Sequence, residues 1–467
     1  MGAELFSKLL TVIFFAFLAR NLTSNDIGIY VTVLTFMSIG LFFADPGLSQ
    51  TLIRNISRDR CKGVRELGDS LTLSTGASLA TWGGMVILAY AFDYPKTLVF
   101  MLTFVGISLT FNAWAQIASA FIKAQHRMEI VALGNSVSLA IFSLLGIFLL
   151  LMGFGLSELT GLLIFQALFN FIFFRRAAIR LGLPFPCSRW NLRETANFMK
   201  EALPIALLVG SAIAINNIDI MMLSKIKGMS DTADYGLAVK FIDNLSLLSG
   251  SVLTALFPFF SSKWENSRPE IIKAFTYAWK FFLVTGMISV AIISVLSRQV
   301  ITLVYGGHFS GSSDALVILV WSFFFYMVGA PLGILILMEK ERLLGFVPYA
   351  LGVVLLNVFL NLFLIPTYSY IGASISTVIC SVMLYFFKVR FLKDVIQLKK
   401  TFYKIAFKPL VASVAMGMVF LLAKNMRLVI SLTLGGCSFL LMLWMLGEFR
   451  GEEYSGFSFR QFLQKLK

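Results

Sequence analysis

Apolar runs of membrane-crossing length follow one another along almost the whole chain. A transmembrane helix needs about 20 mostly apolar residues to cross a hydrocarbon core of about 30 Å. Runs of that order lie near 5–20, 27–53, 67–92, 97–122, 131–152, 157–174, 203–224, 236–262, 274–297, 315–338, 345–365, 371–388, 409–424 and 427–446. No polar stretch between them is long enough for a soluble domain. The chain is 58% hydrophobic and 13% charged, whereas soluble domains carry about 25% charged residues. A water-soluble enzyme, a nucleic-acid-binding domain, a disulfide scaffold and a disordered chain are excluded on that ground. The expected fold class is an all-α polytopic membrane protein with about fourteen spans. The first apolar run lacks a small-x-small cleavage site and is read as a retained first span.

The net charge of +15 is explained by sidedness rather than by an acidic partner such as nucleic acid. With the N-terminus inside, thirty of the thirty-nine Lys and Arg fall in inward loops and seven in outward loops, while Lys240 and Lys280 lie within spans. That asymmetry obeys the positive-inside rule, which a miscounted span would scramble. Both termini are expected in the cytoplasm and the chain in the inner, cytoplasmic membrane. Cys61, Cys187, Cys380 and Cys437 are far apart and only two histidines occur, so no metal or other cofactor is expected.

The halves repeat. Setting Tyr30 against Tyr235 aligns Asp26-Ile-Gly-Ile-Tyr30 with Asp231-Thr-Ala-Asp-Tyr235, each at the outer mouth of a long span. Further on, Ala132-Leu-Gly134 matches Ala350-Leu-Gly352, Gly155 matches Gly372, and the cationic turn Gln125-His-Arg127 matches Lys340-Glu-Arg342. The order of these matches gives a six-helix lobe over 1–174, a cytoplasmic linker over 175–202, a second lobe over 203–390 and a terminal helix pair with a cytoplasmic tail over 391–467. Both lobes begin on the cytoplasmic side, so the repeat is parallel, as in transporters that carry a central site between halves.

An ionisable group inside a bilayer costs about 2.5–3.5 kcal/mol on insertion scales, so it faces the bundle interior or a wet cavity. Asp45, Asp219, Lys240, Asp243 and Lys280 are the candidates. Asp219 has Asn216 and Asn217 within one turn and is read as part of a polar lumen, with a buried helix–helix hydrogen-bond contact as the alternative. Lys240 and Asp243 share a helix face and have the alternative of neutralising each other. Asp45 precedes Pro46-Gly47, which breaks or kinks a helix; its carboxylate either carries an ion or caps the continuing helix. Lys280 lines a cavity or snorkels to the cytoplasmic edge. Arg20 and Arg54, near span ends, are cationic lumen candidates or plain interfacial anchors. Asn112, Gln116, Asn135, Asn170, Asn357 and Asn361 are further candidates for a hydrophilic lining, with interhelical glue as the alternative for each. A cavity lined by Arg20 and Lys240, with Lys280 and Arg54 as further members, suits an anionic ligand. Asp45, Asp219 and Asp243 are the candidate ion carriers.

A family resemblance rests on an ordered set of short motifs. Phe17-Leu-Ala-Arg20, Asp26-Ile-Gly-Ile-Tyr30 and Phe43-Ala-Asp-Pro-Gly-Leu48 resemble the opening of the polysaccharide-export flippases (O-antigen, Wzx-type) of the multidrug/oligosaccharidyl-lipid/polysaccharide exporter superfamily. Asn217-Ile-Asp219, Tyr235-Gly-Leu-Ala-Val-Lys240, Leu256-Phe-Pro258 and Val304-Tyr-Gly306 continue the resemblance. Leu360-Asn361, Ile365-Pro366 and Ile371-Gly-Ala373 extend it to about residue 390. The resemblance implies a two-lobed fold like that of the multidrug exporters of this superfamily. It also implies a flippase rather than an enzyme. Its cargo would be an oligosaccharide repeat unit on undecaprenyl diphosphate, turned to the outer face for O-antigen, capsule or exopolysaccharide synthesis. Arg20 and Lys240 are then expected at the diphosphate or an anionic sugar, with H⁺ or Na⁺ as coupling ion. Membrane lipids and a polysaccharide polymerase are the expected partners, and no nucleic acid is. A multidrug exporter of the same superfamily is the alternative, followed by a membrane glycan polymerase or ligase.

Overall fold

The computed structural model describes residues 2–182, 192–246, 268–338, 340–394, 398–423 and 428–446, with a few single positions between and beside them. Among the described residues there are fourteen helices and no strand. They are α1 (Gly2–Asn21), α2 (Ser24–Ala44), α3 (Leu48–Arg58), α4 (Arg60–Ala91), α5 (Lys96–Ala124), α6 (Met128–Leu151) and α7 (Leu156–Arg180). The order continues with α8 (Leu192–Ile226), α9 (Met229–Leu245), α10 (Arg268–Tyr305), α11 (Ser310–Leu337), α12 (Lys340–Phe391), α13 (Leu398–Leu422) and α14 (Leu428–Met445). Most of the linker core, residues 183–191, the second half of the expected span 236–262 and the tail beyond 446 lie outside the described residues.

Nine helices among the described residues are long and apolar enough to cross a membrane, and shorter apolar helices occupy Leu9–Asn21, Ala406–Leu422 and Ile430–Met445. The protein is therefore a multi-pass membrane protein. One expected span takes a different form. The run 27–53 is not one helix: it stops at Ala44 and restarts at Leu48. Pro46 has no N–H for the ladder and Gly47 adopts a left-handed φ of 73°, so the helix ends there. The spans 345–365 and 371–388 lie in α12 as two helices that meet at a kink at Ser369, where φ is 52° and ψ −132°.

The helix ends follow ordinary capping chemistry. Thr23 caps α2, its hydroxyl accepting from the Asp26 N–H at 3.2 Å. Glu158 accepts from the Gly155 N–H at 2.9 Å at the start of α7. Such side chains satisfy orphan donors of the first turn. Most Ser and Thr hydroxyls inside spans donate to a carbonyl of their own helix, as Thr32 does to Gly28 at 2.7 Å and Thr35 to Val31 at 2.9 Å.

The chain forms two compact units. One comprises residues 1–236 and 350–369, the other residues 237–349 and 370–467. In the first, α5 packs on α7, α4, α2 and α3, and α1 packs on α6. Its lower core joins Leu48, Leu52 and Ile56, one stripe of α3, to Phe121 and Ile122 of α5, Phe174 of α7 and Phe198 of α8. In the second unit α10 packs on α11 and α13, and α13 on α14. Phe420, Met416, Phe439 and Leu443 close that cluster against Ala291 and Leu296. The outer surfaces are apolar, with Ile87 at 67%, Leu355 at 72% and Leu422 at 87% exposure, as lipid-facing positions require.

Within the first unit, α2 meets the start of α9 backbone to backbone. A Cβ on Gly28 would overlap the carbonyl of Met229, whereas Gly76 on α4 faces open space. Gly28→Val is expected to destabilise the protein by about 1–3 kcal/mol or more through overpacking, while Gly76→Ala leaves stability unchanged or slightly raised. Thermal unfolding of both variants in one detergent checks this; equal melting temperatures would contradict the contact.

Candidate functional site

Among the described residues, the most buried carboxylate in a membrane-length helix belongs to Asp219, 1% exposed on α8. Two side chains from elsewhere in the first unit hold it. The Tyr235 hydroxyl on α9 donates to Asp219 Oδ2 at 2.7 Å. Asn361 Nδ2, on the first half of α12, donates to Asp219 Oδ1 at 2.6 Å and to Asn357 Oδ1 at 3.1 Å. Asn357 and Asn361 lie one turn apart, hence on one face, and both are fully buried. Tyr235 is likewise 1% exposed. The Oδ1 of Asn361 is a buried acceptor without a hydrogen-bond donor. A carboxylate, a phenol and two carboxamides therefore converge from three helices on one point, with an acceptor to spare. Such an oxygen-rich cluster is the chemistry that holds a proton or a hard cation.

The other sequence-singled residues lie in separate settings. Asn216 is exposed and Asn217 half-buried, the Asn217 amide donating to its own helix at Ile213 O, 2.8 Å away. Two residues along a helix turn the side chain by about 200°, so Asn217 and Asp219 leave α8 on opposite sides. Asp45, 7% exposed, ends α2 and caps α3. Its Oδ1 accepts from the Ser49 N–H at 3.0 Å and its Oδ2 from the Ser49 hydroxyl. Arg54 on α3 pairs with Glu201 on α8 at 2.7 Å, and neighbouring Asn55 donates to Glu66 on α4 at 2.7 Å. Lys240 and Asp243 form an i,i+3 pair at 3.7 Å, 28% and 53% exposed. Arg20 is exposed in the last turn of α1, and Lys280 is half-buried on α10.

Two features escaped the sequence reading. Tyr235 stood out only as the mate of Tyr30, and its role as donor to Asp219 depends on a contact sixteen residues away. Lys388, counted among inward loop charges, is half-buried in the second half of α12, with Nζ 3.4 Å from the Gly329 carbonyl of α11. Pro331 lies inside the same helix, two residues beyond that carbonyl, and its missing N–H leaves the carbonyl of Met327, four residues back, without its helical donor.

The sequence of residues 1–264 matches the polysaccharide biosynthesis protein family. The chain belongs to that family. Its fold is similar to that of a lipid II flippase MurJ in an inward closed conformation, at a TM-score of 0.79 and 16% identity over 96% of this chain and 98% of the other. It is also similar to an inward-facing multidrug resistance MATE family transporter of the MOP superfamily, with TM-score 0.62 and 14% identity over 85% of this chain and 96% of that one. A MOP superfamily transporter from Pyrococcus furiosus, described for the reversed polarity of its binding pocket, matches with TM-score 0.56 and 15% identity over 85% and 97%. No curated protein matches the sequence. The chain thus has the fold of the superfamily that its motifs resemble.

The carboxylate cluster and the half-exposed ion pair differ in what their loss should do. Asp219→Ala leaves the Tyr235 hydroxyl and the Asn361 amide short of an acceptor, at about 1–3 kcal/mol per buried group. Lys240→Ala removes a pair worth under about 1 kcal/mol. Melting temperatures in a common detergent should fall clearly for the first and little for the second; the reverse order would refute the burial assignment.

Proposed function

We propose that the protein turns a lipid-linked oligosaccharide, a repeat unit on undecaprenyl diphosphate, from the cytoplasmic to the outer face of the inner membrane for surface polysaccharide synthesis. Family membership and the flippase-like fold support a transporter rather than an enzyme. The observation that carries the coupled mechanism is the Asp219 cluster, a buried carboxylate with the unpaired Asn361 Oδ1 beside it inside a membrane-length helix. In this reading H⁺ or Na⁺ binds there and biases alternating access of the two lobes, 1–174 and 203–390.

Arg20 and Lys240 are proposed to meet the diphosphate or an anionic sugar, since charge-assisted hydrogen bonds are the strong ones for such groups. Lys240 would exchange its partner Asp243 for the cargo phosphate. Lys280 and Arg54 are proposed as weaker members of that cationic set, and Asp45, Asp243, Asn216 and Asn217 as polar surroundings of the route. Drug export within the superfamily is the second reading. The flippase aligns over 96% of this chain and the multidrug transporter over 85%, which favours the lipid-linked cargo. A polysaccharide polymerase would act on the product at the outer face.

Deleting the gene should cause an undecaprenyl-linked oligosaccharide to accumulate, detected by mass analysis of the lipid extract; an unchanged extract would overturn the substrate assignment. Asp219→Asn keeps the size of the side chain and removes its charge. In reconstituted vesicles it should abolish the acceleration of cargo translocation by an H⁺ or Na⁺ gradient. Arg20→Ala and Lys240→Ala should abolish surface glycan at normal expression. Normal glycan in both would sink the diphosphate contact but leave the ion site standing.

A further inference from the structure

The lipid-facing side of α7 ends in a charge pattern that its apolar neighbours make specific. Two i,i+4 rows run along this face: Phe165, Phe169, Phe173 and Ala177, and beside them Leu168, Ile172, Arg176 and Arg180. Residues four apart lie above one another on a helix, so the second row passes directly from branched aliphatic side chains to two guanidinium groups. With Ile130 and Leu133 of α6, these rows line a groove of about 690 Å³, a volume within the usual range for a bound small molecule of about 300–1,000 Å³. Its floor exists because α6 approaches α7 closely at Gly134, where a Cβ would press into the Phe173 ring at 2.5 Å. Phe169 and Phe173 stack at 6.1 Å between centroids along the wall.

The polar end of the groove is cationic. Arg176 and Arg180 are exposed and make no ion pair or hydrogen bond among the described residues. The carboxylate near that end, Glu129, is already paired with Arg127 at 3.2 Å. The loop charges put this end on the cytoplasmic side. From Arg180 to Phe165 the helix rises about 22 Å, which carries the groove from the bilayer edge past the middle of a core about 30 Å thick.

We propose that this groove is a binding site for an anionic phospholipid of the cytoplasmic leaflet, one acyl chain lying between α6 and α7 and the headgroup phosphate held by Arg176 and Arg180. Basic clusters at the cytoplasmic ends of membrane helices recognise acidic headgroups in this way, and arginine suits phosphate through its planar fork. The length of the groove fits a chain from one leaflet, whereas a polyprenyl tail is far longer. The site is separate from the Asp219 cluster, and its failure would leave the proposed transport untouched.

The experiment is native mass spectrometry of the full-length protein titrated with phosphatidylglycerol, phosphatidylcholine or undecaprenyl diphosphate. Wild type should retain phosphatidylglycerol in preference to phosphatidylcholine. Arg176→Gln with Arg180→Gln should weaken that retention about ten- to thirtyfold, Leu168→Trp should fill the groove and remove it, and Arg176→Lys with Arg180→Lys should preserve most of it. Phosphatidylglycerol should also raise the melting temperature of wild type and of the lysine variant, but not of the glutamine variant. Equal retention by wild type and the glutamine variant, or no preference over phosphatidylcholine, would overturn the proposal. Displacement of phosphatidylglycerol by an equal amount of undecaprenyl diphosphate would overturn the choice of occupant.

Discussion

Within a bilayer core there is no water to pair with a stray N–H or C=O, so every backbone group must find its partner inside the protein. This constraint accounts for the helical form of the described chain and for what happens where the helices are broken. At Asp45–Gly47 the ladder stops, and the Asp45 carboxylate takes over the free Ser49 N–H while the Ser49 hydroxyl donates to the same carboxylate. At Ser369 α12 bends through a positive φ that non-glycine residues rarely adopt, and the Ser369 hydroxyl donates to the Asp231 carboxylate. Most other hydroxyls among the described residues fold back on their own helices. Polar side chains that reach a second element inside the spans, such as Tyr94 to Ser224, Trp114 to Thr75, Ser78 to Thr110 and the Asp219 cluster, are thereby conspicuous.

Much of this was legible in the amino-acid order, because its signals are local. Apolar run length marks the spans, Pro46-Gly47 marks the break, and the capping role of Asp45 was one of its two readings. Asp219 was visible as a carboxylate in an apolar helix. Its partners were not, since Asn361 is 142 residues away in sequence and no periodicity links α8 to α12. Asn216 and Asn217 were grouped with Asp219 by nearness in the chain, but Asn217 leaves the helix on the opposite side and Asn216 is exposed. Asn357 and Asn361 read in the sequence as hydrophilic lining or as glue. They do join helices, and the group they join is the most buried carboxylate among the described spans. The position of the kink in α12 was also hidden, because Pro366 and Gly372 suggest a loop whereas the non-helical residue is Ser369.

The arginines of α7 carry a related lesson. Counted as loop charge they report only which way the chain is oriented. Placed on the helix they continue a row of Leu168 and Ile172, and the same residues become the polar end of an apolar groove. Sidedness and recognition use one set of charges, which is why composition alone does not separate them.

The contact of Gly28 with Met229 has a mechanical implication. Side chains in a core can absorb a small displacement by changing rotamer, but two main chains in direct touch have no such slack. Two turns further along α9, a Cβ on Gly236 would meet the Val31 side chain at 2.5 Å, and Tyr235 beside it donates to Asp219. The start of α9 is therefore seated stiffly on α2 at Met229, less than two turns before the tyrosine that holds the carboxylate. A shift of the start of α9 would therefore reach α2 as movement of backbone, with no rotamer change to absorb it.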